Sequence, residues 1–265
     1  MHYLQIYVII GKMNDIAKQF FRVPVSVAGW AVKNNRTQML AVFIDMKRRS
    51  TGHLRLSTEE IKGVCDVLNI SMQTFYNNRN ELIKRNWIGY NKKKKLYHIR
   101  SWDFVCKVLS VPSRSNIEAH IDILKTFHEF CFSIDIAHYV KTREKNARSK
   151  DSDRNQRAEN ETSCVEEALS GKEQSQANKL GVELLAERYG VSKSTISNWK
   201  IRAKALGFLK YQHNYAPLNV TDQFVGDVKR AYSELAHRIV CFLGFCYLQL
   251  TDSFEFEYTF YSVTR

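Results

Sequence analysis

The chain has 265 residues, of which 44% are hydrophobic and 12% aromatic, and 40 Lys and Arg against 27 Asp and Glu give it a net charge of +13. That is enough apolar material for two modest domains and too much for a disordered chain. Six cysteines (65, 106, 131, 164, 241 and 246) without a C-x-x-C pair argue against a zinc knuckle or a disulfide framework. The apolar runs Tyr3–Ile10 and Ile239–Leu250 are too short for a signal peptide or a membrane span, so a cytoplasmic protein without a membrane partner is expected.

The charge is unevenly placed. Residues 1–110 hold 19 basic and 7 acidic side chains and residues 179–220 hold 7 and 2, whereas 111–178 (10 and 12) and 221–265 (4 and 6) are slightly acidic. A phosphate backbone is the natural partner for such a pattern.

Residues 1–35 read as an N-terminal arm: Pro24 pushes its neighbour out of the helical region, and Met1 and Met13 are both plausible starts. From 36 to 49, Met39, Leu40, Val42, Phe43 and Met46 fall at helical spacing. Ser57-Thr58-Glu59-Glu60 is a capping box that opens a second helix with Ile61, Val64, Cys65 and Leu68 inward. Asn69 takes the turn, and Ser71 caps a third helix anchored by Phe75 and Leu82 and ending near Asn86. Trp87–Asn91 and Leu96–Ile99 read as two short strands around Lys92–Lys95, so three helices and a basic-tipped hairpin fill 36–110.

Beyond it, 111–142 reads as a long helix (Ile117, Ile121, Leu124, Phe127, Phe130, Ile134, Ala137) that serves as the first helix of a second unit. Residues 143–178 contain no aromatic side chain and read as a flexible polar linker. In 179–220, Val182–Tyr189, Gly190 and Ser192–Leu206 repeat the helix, turn and helix, and Gly207–Tyr211 begins a weaker wing. In 221–265, Val225–Leu250 reads as helix and Phe254–Phe260 as a strand with one aromatic and one acidic face. His237, Cys241 and Cys246 would then form an apolar stripe along that helix. A homodimer or protein contact through 225–265 is open.

The most informative pattern is a repeat. Ser71-Met72-Gln73-Thr74-Phe75-Tyr76-Asn77 and Ser192-Lys193-Ser194-Thr195-Ile196-Ser197-Asn198 both read S-x-x-T-apolar-x-N after a short amphipathic helix. Leu185–Asn198, with the ending Ala205-Leu206-Gly207-Phe208-Leu209, resembles the helix-turn-helix of the winged-helix superfamily of DNA-binding regulators. The first copy departs from it with Cys65 for Ala186, Asn69 for Gly190 and Asn86 for Gly207. The resemblance covers roughly 36–100 and 180–212. It implies a mainly α fold with small β wings: two winged-helix units joined by a flexible linker, a layout similar to that of plasmid replication initiators.

Helix geometry then nominates contacts. Met72, Gln73, Tyr76, Asn77 and Asn80 in the first copy, and Lys193, Ser194, Ser197 and Asn198 in the second, project where helix-turn-helix proteins touch base edges. Lys84, Arg85, Lys92, Lys93, Lys94 and Lys95, with Lys200, Arg202 and Lys204, suit phosphates. Arg79 occupies a position that is usually apolar. The expectation is a sequence-specific double-stranded DNA-binding protein, foremost a transcriptional regulator, with a replication initiator of a plasmid or other mobile element as the alternative. A winged-helix protein–protein module is the alternative of another class. No enzyme is expected: there is no Gly-rich phosphate loop, H-E-x-x-H or nucleophile motif, and no metal or cofactor is called for. His120, His128 and His138 with Glu118, Asp122, Glu129 and Asp135 read as polar positions on a half-exposed helix.

Overall fold

Phe20–Pro24 alternates exposed and buried side chains and forms the first strand, β1. In the computed structural model, which describes residues 19–50, 52–113, 115–158, 179–212, 215–231, 239–249, 252–255 and 261–262, the chain has a mixed α/β architecture with several small antiparallel sheets. It divides into a unit of residues 1–135 with 257–265 and a unit of residues 136–256, the boundary falling within one long helix.

Of the segment expected as an arm, 1–35, the part described from residue 19 forms a strand and a helix. β1 leads directly into α1 (Val25–Lys33), whose Val27, Ala28, Ala31 and Val32 are buried. Pro24, with φ −64° and ψ 130°, ends the strand and pre-sets the entry to the helix. A helix this apolar on every side has to be covered. It packs on α2 (Thr37–Arg48), and Phe43, Trp87, Trp30 and Trp102 form an aromatic core with ring centroids 5.1 to 5.7 Å apart.

Gly29 makes the close approach of α1 possible. A Cβ there would overlap the buried Asp135 carboxylate, which would have to shift. Gly29→Ala is therefore expected to destabilise this unit by about 1–3 kcal/mol despite the better helix propensity of alanine. Urea denaturation checks it, and an unchanged or raised midpoint would refute the close packing.

After α2 come β2 (His53–Leu54), α3 (Thr58–Leu68), α4 (Met72–Lys84), β3 (Ile88–Asn91), β4 (Leu96–Ile99) and α5 (Trp102–Leu109). The capping box of α3 is complete: Glu60 N–H donates to the Ser57 hydroxyl at 3.2 Å, and Ser57 N–H donates to the Glu60 carboxylate at 2.7 Å. The bond from the Ser57 backbone holds the Glu60 carboxyl below its ordinary range. β2 pairs with β4 and β4 with β3, so the short strand ahead of α3 lies beside the second strand of the hairpin.

Residues 115–126 are not α-helical. Ser115–His120 is β5, between β1 and β12 (Tyr261–Ser262), followed by a 3-10 segment, Ile121–Thr126. Ile117 and Ala119 are buried at a period of two, and the match of Ile117, Ile121 and Leu124 to a helical spacing was coincidental. α6 starts at Phe127 and runs to Ala158, through part of the segment expected as linker. Its C-terminal stretch, 141–158, holds three lysines and four arginines, which lose little side-chain freedom in a helix. The rest of that segment, 159–178, lies outside the described residues.

The second unit holds β6 (Lys179–Leu180), α7 (Val182–Tyr189), α8 (Lys193–Ala205), β7 (Lys210–Gln212) and β11 (Asp252–Glu255). Its sheet runs β6-β11-β7. The strand before the helix pair again sits beside the last strand, as β2 does on β4. Here the last strand arrives only after an inserted sheet, β8-β10-β9, made of Tyr215–Thr221, Phe245–Gln249 and Ile239–Phe242.

The helix expected over 225–250 is thus short. α9 covers Val225–Ala231, and Ile239–Gln249 is a hairpin. Leu243 (φ 51°) and Gly244 (φ 80°) make its two-residue loop, a turn chemistry that overrides the helical spacing of the apolar residues. The strand expected over 254–260 begins as β11, and 256–260 lie outside the described residues. No described helix is long and apolar enough to cross a membrane.

Candidate nucleic-acid interface

The two copies of the repeat fold into the same local geometry, each within its own unit. α3 ends on Asn69 (φ 51°) and α7 on Gly190 (φ 66°), both in the left-handed conformation that closes a helix C-terminus. Asparagine is the non-glycine residue that tolerates it best, which explains the exchange. Ile70 N–H then bonds the Cys65 carbonyl and Val191 N–H the Ala186 carbonyl, both at 3.0 Å. Ser71 and Ser192 cap α4 and α8, their hydroxyls accepting from the backbone N–H of Thr74 and Thr195 at 3.1 Å. The Thr74 and Thr195 hydroxyls lie 2.8 Å from the same serine oxygens. At the far ends Asn86 (φ 59°) and Gly207 (φ 74°) match, with Trp87 and Phe208 N–H bonding the Leu82 and Ala203 carbonyls.

On α4, Phe75 and Leu82 are buried and hold the helix to the core. Gln73 and Asn77 lie on its exposed face, the Gln73 amide donating to the Asn77 side-chain carbonyl at 3.0 Å. Tyr76 is half-buried beneath the Arg79 guanidinium, 5.2 Å from its ring centre. Asn80 is exposed and accepts from Arg79 at 2.7 Å. Met72 is placed otherwise: it is half-buried, its sulfur 3.6 Å from the Cys65 thiol, so it turns back toward α3.

Arg79 itself is half-buried. Its guanidinium lies over Tyr76 and Tyr90 and donates to the Tyr97 hydroxyl at 3.4 Å. Tyr90 and Tyr97 stack across the hairpin with centroids 4.7 Å apart. Burial pushes the Tyr97 phenol above its ordinary range, against the opposing effect of Arg79. The cluster ties α4 to the hairpin. Its signal in the sequence was a polar residue at an apolar position with one tyrosine on each strand of the hairpin.

Lys92, Lys93, Lys94 and Lys95 are all exposed at the tip, which is closed by Lys94 N–H donating to the Asn91 side chain at 3.1 Å. Lys84 is exposed at the end of α4. Arg85 is half-buried, paired with Glu81 at 2.8 Å and stacked 5.1 Å from the Trp30 ring centre, so it serves packing within the unit. His53 and His98, which residue spacing did not single out, stand opposite each other on β2 and β4 with rings 4.9 Å apart.

On α8, Ser194 and Asn198 are exposed and Ser197 is half-buried. Lys193 is exposed and pairs with Glu183 at 3.0 Å. Arg202 and Lys204 are exposed, Lys204 lying 4.8 Å from the Tyr211 ring centre. Lys200 departs from expectation. It is 4% exposed and its ammonium lies over the rings of Tyr211 (4.4 Å) and Phe254 (5.4 Å). It occupies the position four after Ile196, on the inward face, where aromatic side chains of β7 and β11 cover it. Leu206, at the C-cap of α8, is 42% exposed.

Each helix therefore offers a strip of amide and hydroxyl groups with lysines beside it, the chemistry suited to base edges and phosphates. His120 pairs with Asp122 at 3.0 Å and His128 contacts Thr37 at 3.3 Å, and among the described residues no three His, Cys, Asp or Glu side chains are grouped to hold a metal ion. No family model, curated protein or solved structure matches this chain.

Proposed function

We propose that the chain is a sequence-specific double-stranded DNA-binding protein, a transcriptional regulator whose α4 and α8 are recognition helices of two winged-helix units. One observation carries the reading: the S-x-x-T repeat adopts the same capped helix-turn-helix twice, and in both units the strand ahead of it lies beside the last strand of the sheet. Helix, strand, two helices and two strands, with a lysine tip on the hairpin, is a winged-helix order for the first unit. In the second the hairpin tip is replaced by the β8-β10-β9 insertion. The same two-unit layout also suits a replication initiator, and the site occupied on DNA separates the two.

Selection of binders from a random duplex pool tests the proposal. The expected result is a bipartite motif whose halves respond separately to Gln73→Ala with Asn77→Ala and to Ser194→Ala with Asn198→Ala. Promoter-overlapping matches support a regulator; repeated sites at an origin support an initiator. Enrichment of no motif overturns the proposal. It would favour the protein–protein reading, for which Phe224, Leu243 and Phe245, 51 to 86% exposed near the inserted sheet, are the candidate contacts.

A further inference from the structure

Cys241 and Cys246 are direct partners across the hairpin of β9 and β10. The pair nearest the loop, Phe242 and Phe245, closes two residues, Leu243 and Gly244, that both have positive φ. In such a turn the flanking pair exchanges the hydrogen bonds, which makes the next pair out a non-hydrogen-bonded one. Cα atoms of non-hydrogen-bonded pairs stand about 4.5 Å apart, inside the span of about 4.4–6.8 Å that disulfides bridge. Both residues are in the thiol form, with sulfurs 2.9 Å apart. Cys241 is exposed on the edge strand, whereas Cys246 is fully buried on the central strand, packed with Ile239, Leu218, Val225 and Leu248.

The other described cysteines differ. Cys65, Cys106 and Cys131 are all buried, and desolvation raises each thiol above its ordinary range, Cys106 to about 11. Their thiolates are scarce and shielded. Cys241 alone combines exposure with a second thiol at bonding reach among the described residues.

We propose that Cys241 and Cys246 form a reversible oxidation site that takes a hydroperoxide and closes into a cross-strand disulfide. The Cys241 thiolate attacks the terminal peroxide oxygen. An S–O bond forms, the O–O bond breaks, and the departing oxygen leaves as water or an alcohol after taking a proton. The Cys246 thiolate then attacks the Cys241 sulfur. The S–S bond forms, the S–O bond breaks, and the hydroxide leaves as water. Two thiols lose two electrons and the peroxide gains them. A thiol reductant reverses the change. The outcome ties an edge strand covalently to the centre of its sheet.

The sequence makes the test direct. Trypsin cuts after Arg238 and next at Arg265, so one peptide carries Cys241, Cys246 and no other cysteine. The full chain is reduced, treated with hydrogen peroxide, blocked with N-ethylmaleimide and digested. The expected peptide lacks two hydrogens and carries no maleimide, and dithiothreitol before blocking restores two maleimides. In Cys246→Ser, Cys241 is expected to stop as a sulfenic acid that dimedone captures. Two maleimides after peroxide, a stable sulfenic acid in the unsubstituted chain, or a bond to another cysteine would each overturn the proposal. So would equally fast closure in guanidinium chloride, since chain proximity and not the hairpin would then be responsible.

Discussion

Asp45→Ala is expected to lower the stability of the first unit by about 3 kcal/mol, toward the lower end of what removing one partner of a buried ion pair costs. The Asp45 carboxylate is 0% exposed at the inner face of α2 and accepts from Arg48 at 2.6 and 2.8 Å and from Arg49 at 2.7 Å. Alanine removes those acceptors while the two guanidinium side chains, only 13% and 26% exposed, keep their partial desolvation. Some exposure remains, so water can rescue part of the loss, which is why the upper end is not expected. For a chain of this size about 3 kcal/mol corresponds to a fall in Tm of roughly 6–12 °C. Asp45→Asn, which keeps shape and some hydrogen bonding, should lose less. A loss under about 1 kcal/mol for alanine would mean that the arginines find other acceptors.

Asp45 also marks a limit of sequence reading. The helix around it was legible, since Met39, Leu40, Val42, Phe43 and Met46 repeat at helical spacing and α2 covers Thr37–Arg48. An aspartate flanked by basic residues looks like an ordinary surface position, yet the fold buries it completely. The features that were legible are local: the Ser57–Glu60 box, the Ser71 and Ser192 caps and the left-handed Asn69 and Gly190 rest on neighbours three or four residues apart. Those that were not depend on distant partners. β5 is a strand because β1 and β12 flank it, and β7 pairs with β11 only after the inserted sheet returns the chain. Lys200 turns inward because Tyr211 and Phe254 supply the faces that receive its charge. A charged residue at an inward helical spacing was its one available sign, and Arg79 over its tyrosines gave the same sign in the first unit.

Replacing Lys92, Lys93, Lys94 and Lys95 together by glutamine is expected to weaken duplex DNA binding at physiological salt by roughly two to three orders of magnitude. Each phosphate contact releases close to one counterion, so four contacts carry a dependence of log K on log salt of about −3.6, which near 0.15 M amounts to about three powers of ten. Contacts that are only partly made bring the lower figure. The slope of the salt titration should fall in magnitude by about three to four units, while the motif selected from random DNA stays the same, because phosphate contacts position the protein without reading sequence. Gln73→Ala with Asn77→Ala should do the reverse, changing the preferred bases at about 1–3 kcal/mol per lost bidentate pair while leaving the slope nearly intact. The lysine side chains are exposed, and the turn is closed by the Lys94 backbone N–H on Asn91, so the substitutions should leave stability within about 0.5 kcal/mol. Affinity measured by fluorescence anisotropy across a salt series gives both readouts at once. A quadruple variant that binds as tightly and with the same slope would remove the hairpin tip from the interface, and the remaining positive charge of the unit would have to make the phosphate contacts elsewhere.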